Sequence, residues 1–378
     1  MLVELRRAIH AHPELGFREV RTTRLVRGAL AGLGLVELPC PTATGAIFEL
    51  DTGRPGRAVV YRADLDALPL EEETGLGFRS TIPGAMHACG HDGHVAMLVG
   101  AARLLCGRAD ELVGRHVFLF QPAEELLGGA RALIDGGVVA ILRGDVLLGV
   151  HLSADQPGGL VLARPGIAMS AADVIHLDID GPGGHASGPI VGDVVAAAAA
   201  LAAALPTIAA GHAFVGVPCA CNPGVIQAGS AVNVLPRRAR IEASLRTFLP
   251  AQRQDALSRL AELVESVAGR TGVSIALRRP LFVPAVVNDA STTAAVLAVA
   301  AGLGMATAGS PPLAPSDDVS ELLAHIPGCH FFLGAAPPGR PARHHTADFD
   351  FDEAVLDPGA RLLAAAGDRL ARISSAPD

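Results

Sequence analysis

The sequence predicts an α/β protein with a mostly parallel sheet, into which a smaller α+β unit of ferredoxin-like order is inserted. Three observations carry that expectation. Apolar runs of strand length alternate with runs of helix length in the first half of the chain, which is the pattern of a sheet covered on both faces. Polar, chemically capable residues follow three of those strands directly. The pattern then changes near Ser170 to the half-exposed alternation of antiparallel strands and returns to the first style after about Val283.

In order, RAVVY at Arg57 to Tyr61 reads as a strand, His94 to Cys106 as a helix and HVFLF at His116 to Phe120 as a strand. A helix at Gly128 to Asp135 and a strand VLLGV at Val146 to Val150 follow. Asp173 to Asp180, a strand near Ala220 to Ala228, Arg240 to Phe248 and Val273 to Arg278 form the strands of the insertion. Between them lie an Ala-rich helix at Val194 to Leu205 and a charged amphipathic helix at Ala251 to Gly269, giving the order β-α-β-β-α-β. The helix Ser291 to Gly302, the strand His330 to Gly334 and the helix Pro358 to Arg372 complete the large domain. Residues 1–169 and 284–378 are thus expected to form one discontinuous domain, with 170–283 inserted.

Composition narrows the function. Of 378 residues, 50% are apolar and 18% charged, with a net charge of −8 and no basic run, so nucleic acid and anionic membrane surfaces are not expected partners. All 30 basic residues are Arg; without Lys there is no Schiff-base amine and no P-loop lysine. With one Tyr and no Trp, stacking platforms for bases or sugars are scarce. Between Val194 and Pro236 the ionisable side chains are His212, Cys219 and Cys221 alone. That stretch is mostly Ala, is interrupted by Pro206 and lacks basic flanks, so it reads as a buried or interface helix rather than a membrane span. The amino terminus, MLVELRRAIHAHPEL, lacks the apolar core of a signal peptide, and six dispersed cysteines fit reduced thiols; a cytoplasmic protein is expected.

The most specific segment is MHACGHDGH, Met86 to His94. Cys89 and His91 stand at alternate positions, and thiolate with imidazole suits a first-row transition ion better than calcium. A knuckle-type structural site would need a further Cys or His pair nearby, which is lacking, so a catalytic metal assembled from distant strand ends is expected. Glu124 and Glu125 follow the strand that ends near Phe120; in an extended loop neighbouring side chains point opposite ways, so one acid can hold metal while the other reaches water. His151 closes a strand, and His344 and His345 precede FDFDE.

These motifs together resemble those of the amidohydrolase branch of the aminoacylase and carboxypeptidase-G-type dinuclear metallopeptidases, the group with hippurate hydrolases, auxin-conjugate hydrolases and N-acetyl-diaminopimelate deacetylases. The similarity runs nearly end to end: RRAIHAHPELGFRE, RADLDALP at Arg62 to Pro69, HACGHDGH, QPAEE at Gln121 to Glu125, GVH, GPGGHAS at Gly181 to Ser187, NVLP, LRTF and HHTADFDFDE. The resemblance implies a metallopeptidase-type catalytic domain and an inserted lid or dimerisation domain. It implies two divalent ions (zinc, manganese, cobalt or nickel) held by Cys89, His91, Glu125, His151 and His345, with one thiolate or carboxylate bridging. It further implies Glu124 as general base and then acid, Asp64 as an acid orienting a ligand from behind, His185 over the substrate where it steadies an oxyanion, and Asn233 and Arg246 as substrate contacts. The implied reaction is hydrolysis of an N-acyl amino acid or similar small amide, in a homodimer.

The chain departs from the family pattern in three places: Ala347 where Pro is usual, Asp317-Asp318-Val319 where Glu-Asp-Phe is usual, and EASLRTF without a Gly-Thr pair. They bear on the substrate and leave open which of His344 and His345 binds metal. A specialised-metabolite deacylase or an amide-forming enzyme using the same residues is the alternative, and a catalytically silent binding scaffold a minor one.

Overall fold

In the computed structural model, residues 1–188, 191–339 and 341–373 are described. The main elements begin with α1 (Leu2–His10), α2 (Val20–Leu30), β1 (Val36–Leu38), β2 (Ala46–Asp51), β3 (Ala58–Asp64), α3 (His91–Cys106), β4 (Arg115–Gln121), α4 (Gly129–Asp135), β5 (Val146–Ser153) and β6 (Val161–Ala163). There follow β7 (Ala171–Asp180), α5 (Val194–Ile208), β8 (Ala220–Ala228), β9 (Arg238–Thr247), α6 (Pro250–Thr271) and β10 (Ser274–Val283). The chain closes with α7 (Ala290–Gly302), β11 (Thr307–Gly309), β12 (Gly328–Gly334) and α8 (Leu356–Ala371).

The chain divides into two compact units. One comprises Met1–Ala168, Val287–Ser310 and the stretch from Asp317 on; the other comprises Met169–Val286 and Pro311–Ser316. The second unit is therefore longer than 170–283 at both ends and takes in a short return segment that no sequence signal marked.

The first unit is built on an eight-stranded sheet in the order β1-β2-β4-β3-β5-β12-β6-β11. Its centre, β4-β3-β5-β12, is parallel, while β1 and β2 add antiparallel to one side and β6 runs antiparallel to β12. Every residue of β3 is buried, as a central parallel strand covered on two faces requires. Helix α3 is buried over most of its length and packs against α1 and α8. It starts at His91, three residues earlier than its apolar pattern suggests, because Gly90 at φ +87° turns the chain into the first helical residue and Asp92 favours the helix start electrostatically.

The second unit pairs its strands β8-β9-β7-β10, each pair antiparallel. Alternation along β7 and β9 buries one face under α5 and α6. Asp193 caps α5 by accepting the Val195 and Ala196 amides. Pro206 does not end that helix: in the last turn it leaves few carbonyls unserved, and α5 runs on to Ile208. Strand β10 continues to Val283 across an irregularity between Arg278 and Leu281. No helix among the described residues is long and apolar enough to cross a membrane.

At the end of the first unit's sheet away from the polar strand exits, the Tyr61 hydroxyl lies 2.7 Å from His116 Nδ1, and His116 Nε2 lies 3.2 Å from the Val113 carbonyl. The carbonyl only accepts, so Nε2 carries the proton and the neutral ring receives the Tyr61 O–H. Burial holds His116 down at about 4. In the unfolded chain histidine titrates near about 6.5, so below that pH the unfolded state takes up a proton the folded state refuses. The pair's stabilisation is complete above about 6.5 and drains away as pH falls toward 4. Urea unfolding at pH 7 and pH 5 is expected to show a smaller acid loss of stability in His116→Gln than in the parent.

Candidate metal centre

Three adjacent parallel strands, β4, β3 and β5, deliver the polar residues: Asp64 and Asp66 at the exit of β3, Gln121, Glu124 and Glu125 at the exit of β4, and His151 within β5. Ligands in open α/β sheets gather at such carboxyl ends. Cys89 and His91 arrive from the start of α3, and His345 from the chain after β12. His345 is held at φ +61° with its amide donating to the Ala88 carbonyl at 2.8 Å.

The donor atoms are aimed by what their far sides do. His91 Nδ1 lies 2.9 Å from the Asp66 carbonyl oxygen, to which it can only donate, so Nε2 carries the lone pair. That Nε2 is buried with no hydrogen-bond partner, 3.7 Å from Glu125 Oε1 and 3.8 Å from both Glu124 Oε2 and Asp64 Oδ2. Glu125 Oε1 is likewise buried and without a hydrogen bond, and stands 3.5 Å from His345 Nε2. His151 Nδ1 donates to the Leu152 carbonyl at 2.7 Å, leaving Nε2 at 3.5 Å from Cys89 Sγ. Cys89, His91 and His151 form one group of donor atoms within 4.8 Å of one another, and Cys89, Glu125 and His345 a second. The thiol is common to both.

This donor set fits two divalent cations. Buried acceptors with no donor are costly unless something occupies the space between them, and thiolate, imidazole and carboxylate are the donor set of a first-row ion. Burial alone would lower His91, yet Asp64 and Asp66 hold it well above its usual range, so with no cation present a proton competes for Nε2. Burial, and then Glu125, push the Cys89 thiol up, and a bound cation would reverse that.

His345, not His344, faces Cys89 and Glu125. His344 instead accepts the Ala154 amide at 3.3 Å and packs its ring 4.9 Å from Phe349 and 5.4 Å from His151. Glu124 and Glu125 do not point opposite ways. Ala123 at φ +55° and the turn after it replace the extended loop, so both acids approach His91 and part only beyond it. Glu125 reaches the Cys89 and His345 side, while Glu124 shares a second carboxylate group with Asp317 and Asp318. Burial, then Asp317, Glu125 and Asp318, raise the Glu124 carboxyl well above the usual range.

Asp64 does not sit behind a predicted ligand. It accepts from His94 Nδ1 at 2.6 Å and from Arg62 at 2.7 Å, and meets His91 on its lone-pair side. Burial would raise Asp64, but His91, Arg62 and His94 hold it well below its ordinary value. The residue behind His91 is Asp66, which sequence reasoning passed over. Besides its carbonyl, its Oδ1 and Oδ2 accept the Glu124 and Glu125 amides at 2.9 and 3.0 Å. The spacing Asp64-Leu65-Asp66, two acids on one side of an extended exit, was the available signal. His94 was also missed; its Nε2 accepts the Leu152 amide at 2.9 Å next to His151.

The departure at Asp317-Asp318-Val319 lies inside the unit. Buried Arg62 bonds Gln121, Asp64, Asp317 and Asp318. Asp318 also accepts from Gln121 and from the Ala130 amide. His185, Asn233 and Arg246 belong to the second unit. The strand pair Gly184–His185 and Val234–Leu235, with the Ala186 amide on the Asn233 carbonyl at 3.2 Å, sets His185 and Asn233 side by side and exposed. Ser187 donates its amide and hydroxyl to His185 Nδ1. Arg246, half-buried on β9, donates to Ser316 Oγ at 2.5 Å.

The chain is similar to several known proteins. The model of peptidase family M20/M25/M40 matches residues 60–368. An N-acetylcysteine deacetylase of Bacillus subtilis is 35% identical over 366 residues, covering 96% of this chain and 95% of the relative. An N-acyl-L-amino acid amidohydrolase of Geobacillus stearothermophilus is 37% identical over 279 residues, covering 73% and 75%. The crystal structure of a dinuclear metal binding peptidase from the M20 family of Bacillus subtilis superposes with a TM-score of 0.83 at 32% identity, covering 98% of each chain.

Because the Asp66 carboxylate fixes the amides of both Glu124 and Glu125, Asp66→Asn puts an NH2 group against one of them. A drop of roughly 10–100-fold in metal affinity or activity is expected, read by calorimetric titration of the metal-stripped protein with Zn²⁺ and Mn²⁺.

Proposed function

The chain belongs to peptidase family M20/M25/M40, and on that premise we propose that it is a metal-dependent amidohydrolase that cleaves the amide bond of an N-acyl amino acid or a related small amide. One observation carries the reading: His91 Nε2 and Glu125 Oε1 are buried acceptors without donors, ringed by Cys89, His151 and His345, with Glu124 beside them. In this reading Cys89, His91 and His151 hold one cation and Cys89, Glu125 and His345 the other. Zinc, manganese, cobalt and nickel all suit that set. Bound there, the two ions would supply Lewis acidity toward the acyl carbonyl and acidify water.

The chain's own groups do the rest. Glu124, whose carboxyl is raised by burial and by its acidic neighbours, takes a proton from water at Oε2 and hands it to the departing amine. No side-chain nucleophile is called for. Asp66 keeps Glu124 and Glu125 at fixed spacing through their amides. His185, Asn233 and Arg246 are read as substrate contacts. With Nδ1 engaged by Ser187, neutral His185 carries its proton on Nε2, the donor an oxyanion needs.

The same reading includes a homodimer through the second unit. Strand β8 is a sheet edge with Ile226 53% exposed, and α5 presents Val195, Ala196, Ala199 and Ala203 outward. A second copy of the chain would continue the antiparallel ladder and cover those residues. Sedimentation is expected to show a dimer in the parent and a shift toward monomer in Ile226→Arg.

Amine release from a panel of N-acyl amino acids, with and without chelator, tests the activity. Turnover is expected to vanish on chelation and return with added metal. Glu124→Gln should lower kcat by roughly 10²–10⁴-fold while binding two ions per chain; near-parent turnover in that variant removes Glu124 from the mechanism.

A further inference from the structure

Ala123, the residue before Glu124, is held in the left-handed region at φ +55°, a conformation that a residue with a Cβ rarely adopts. Its amide donates to Glu19 Oε1 at 2.8 Å. The same oxygen accepts the Phe17 amide at 2.9 Å, and Glu19 Oε2 accepts the Thr44 hydroxyl at 2.6 Å. Glu19 is fully buried, so its three bonds are made entirely within the protein. Three residues earlier Gly16 lies against the same loop: a Cβ there would stand 2.8 Å from Leu126 Cδ1 and 3.1 Å from Ala123 Cβ. The Glu14 carbonyl also takes the Ala67 amide at 2.9 Å, next to Asp66.

Three successive amides, those of Ala123, Glu124 and Glu125, therefore end on two buried carboxylates, Glu19 and Asp66. Glu19 comes from the HPELGFRE stretch, to which no catalytic or metal-binding role attaches. We propose that Glu19 is a positioning residue for amide hydrolysis: by holding the Ala123 amide it keeps Ala123 left-handed, and that turn sets Glu124 beside His91. The inference rests on Glu124 being the proton carrier.

A specific rescue follows. Glycine adopts positive φ freely, so glycine at 123 makes the turn without Glu19. Likewise Glu19→Gln keeps an oxygen for the Phe17 and Ala123 amides and turns its NH2 toward the Thr44 hydroxyl, which can accept.

In metal-loaded protein, Glu19→Ala is expected to lower kcat about 10–100-fold, the scale of a misplacement of about 1 Å, with KM within about twofold and bound metal unchanged. Glu19→Gln should stay within about threefold of the parent, and Ala123→Gly combined with Glu19→Ala should recover most of the lost kcat. If Glu19→Ala does not accumulate as folded protein, Glu19→Met, which fills the space without an acceptor, is measured in its place. Unchanged kcat, or a loss that tracks loss of metal, or failure of glycine at 123 to recover it, overturns the proposal. Glu124→Gln separates the two readings: an inactive Glu124→Gln beside a fully active Glu19→Ala removes Glu19 alone, whereas an active Glu124→Gln removes the base.

Discussion

A lone pair that is to meet a cation deep in a protein has to be aimed, and here the main chain does it. The Nδ1–H of His91 is spent on the Asp66 carbonyl and that of His151 on the Leu152 carbonyl. Each bond fixes a tautomer and a ring direction at once, which leaves His91 Nε2 facing Glu124 and Glu125 and His151 Nε2 facing Cys89. The rest of the first unit serves this arrangement. Parallel strands bring the carbonyls and carboxylates to one end of the sheet, and α3 enters at His91 so that its first residue already lies in the centre.

The negative charge gathered there is balanced by guanidinium groups rather than by ammonium, in keeping with a chain whose basic residues are all arginine. Arg62, fully enclosed, distributes its planar fork over Gln121, Asp64, Asp317 and Asp318. Arg6, equally enclosed, does the same for Asp92, Asp350 and Glu353 while lying over the rings of Phe78 and Phe351. A single lysine offers no such flat set of five donors. Removing one partner from a buried set of this kind strands a charge and costs about 3–5 kcal/mol. Burial, against the pull of Arg62, and the neighbouring Asp317 push Asp318 up to about 8, which lets one of these acids hold a proton and eases the crowding of carboxylates around Glu124.

Much of this was legible in the sequence, because chemistry-bearing residues stand immediately after strongly apolar runs and such exits converge in a parallel sheet. Cys89 and His91 stood out by their alternate spacing and the Glu124-Glu125 pair by its strand exit, whereas the choice of Glu125, His151 and His345 as ligands rested on the family resemblance. What escaped notice depends on backbone conformation at single residues. Left-handed Gly90 moves the start of α3 forward to His91; left-handed Ala123 turns Glu124 and Glu125 to the same side; left-handed His345 sends its ring, and not that of His344, toward Glu125. No periodicity records these turns, since two of the three residues carry a Cβ that ordinarily disfavours them. The exchange of roles between Asp64 and Asp66 has the same origin: both acids were visible, but whether carbonyl or carboxylate would meet His91 is decided by the path of the chain beyond β3. The segment 311–316 joined the second unit without any apolar pattern to announce it.

That the first unit is assembled from both ends of the chain has a consequence for how the protein is made. Synthesis proceeds from the amino end and domains fold as they emerge, so Cys89, His91, Glu125 and His151 leave the ribosome with β3, β4 and β5 well before His345. Strand β12, which completes the pairing of β5, and the segment that brings His345 to Glu125 come only after the whole second unit. A nascent chain therefore holds one donor triad in full and the other lacking its imidazole, with the sheet still open along β5. Filling both proposed cation positions thus has to wait until the second unit and β12 have been made, which keeps half-made protein from working as a hydrolase.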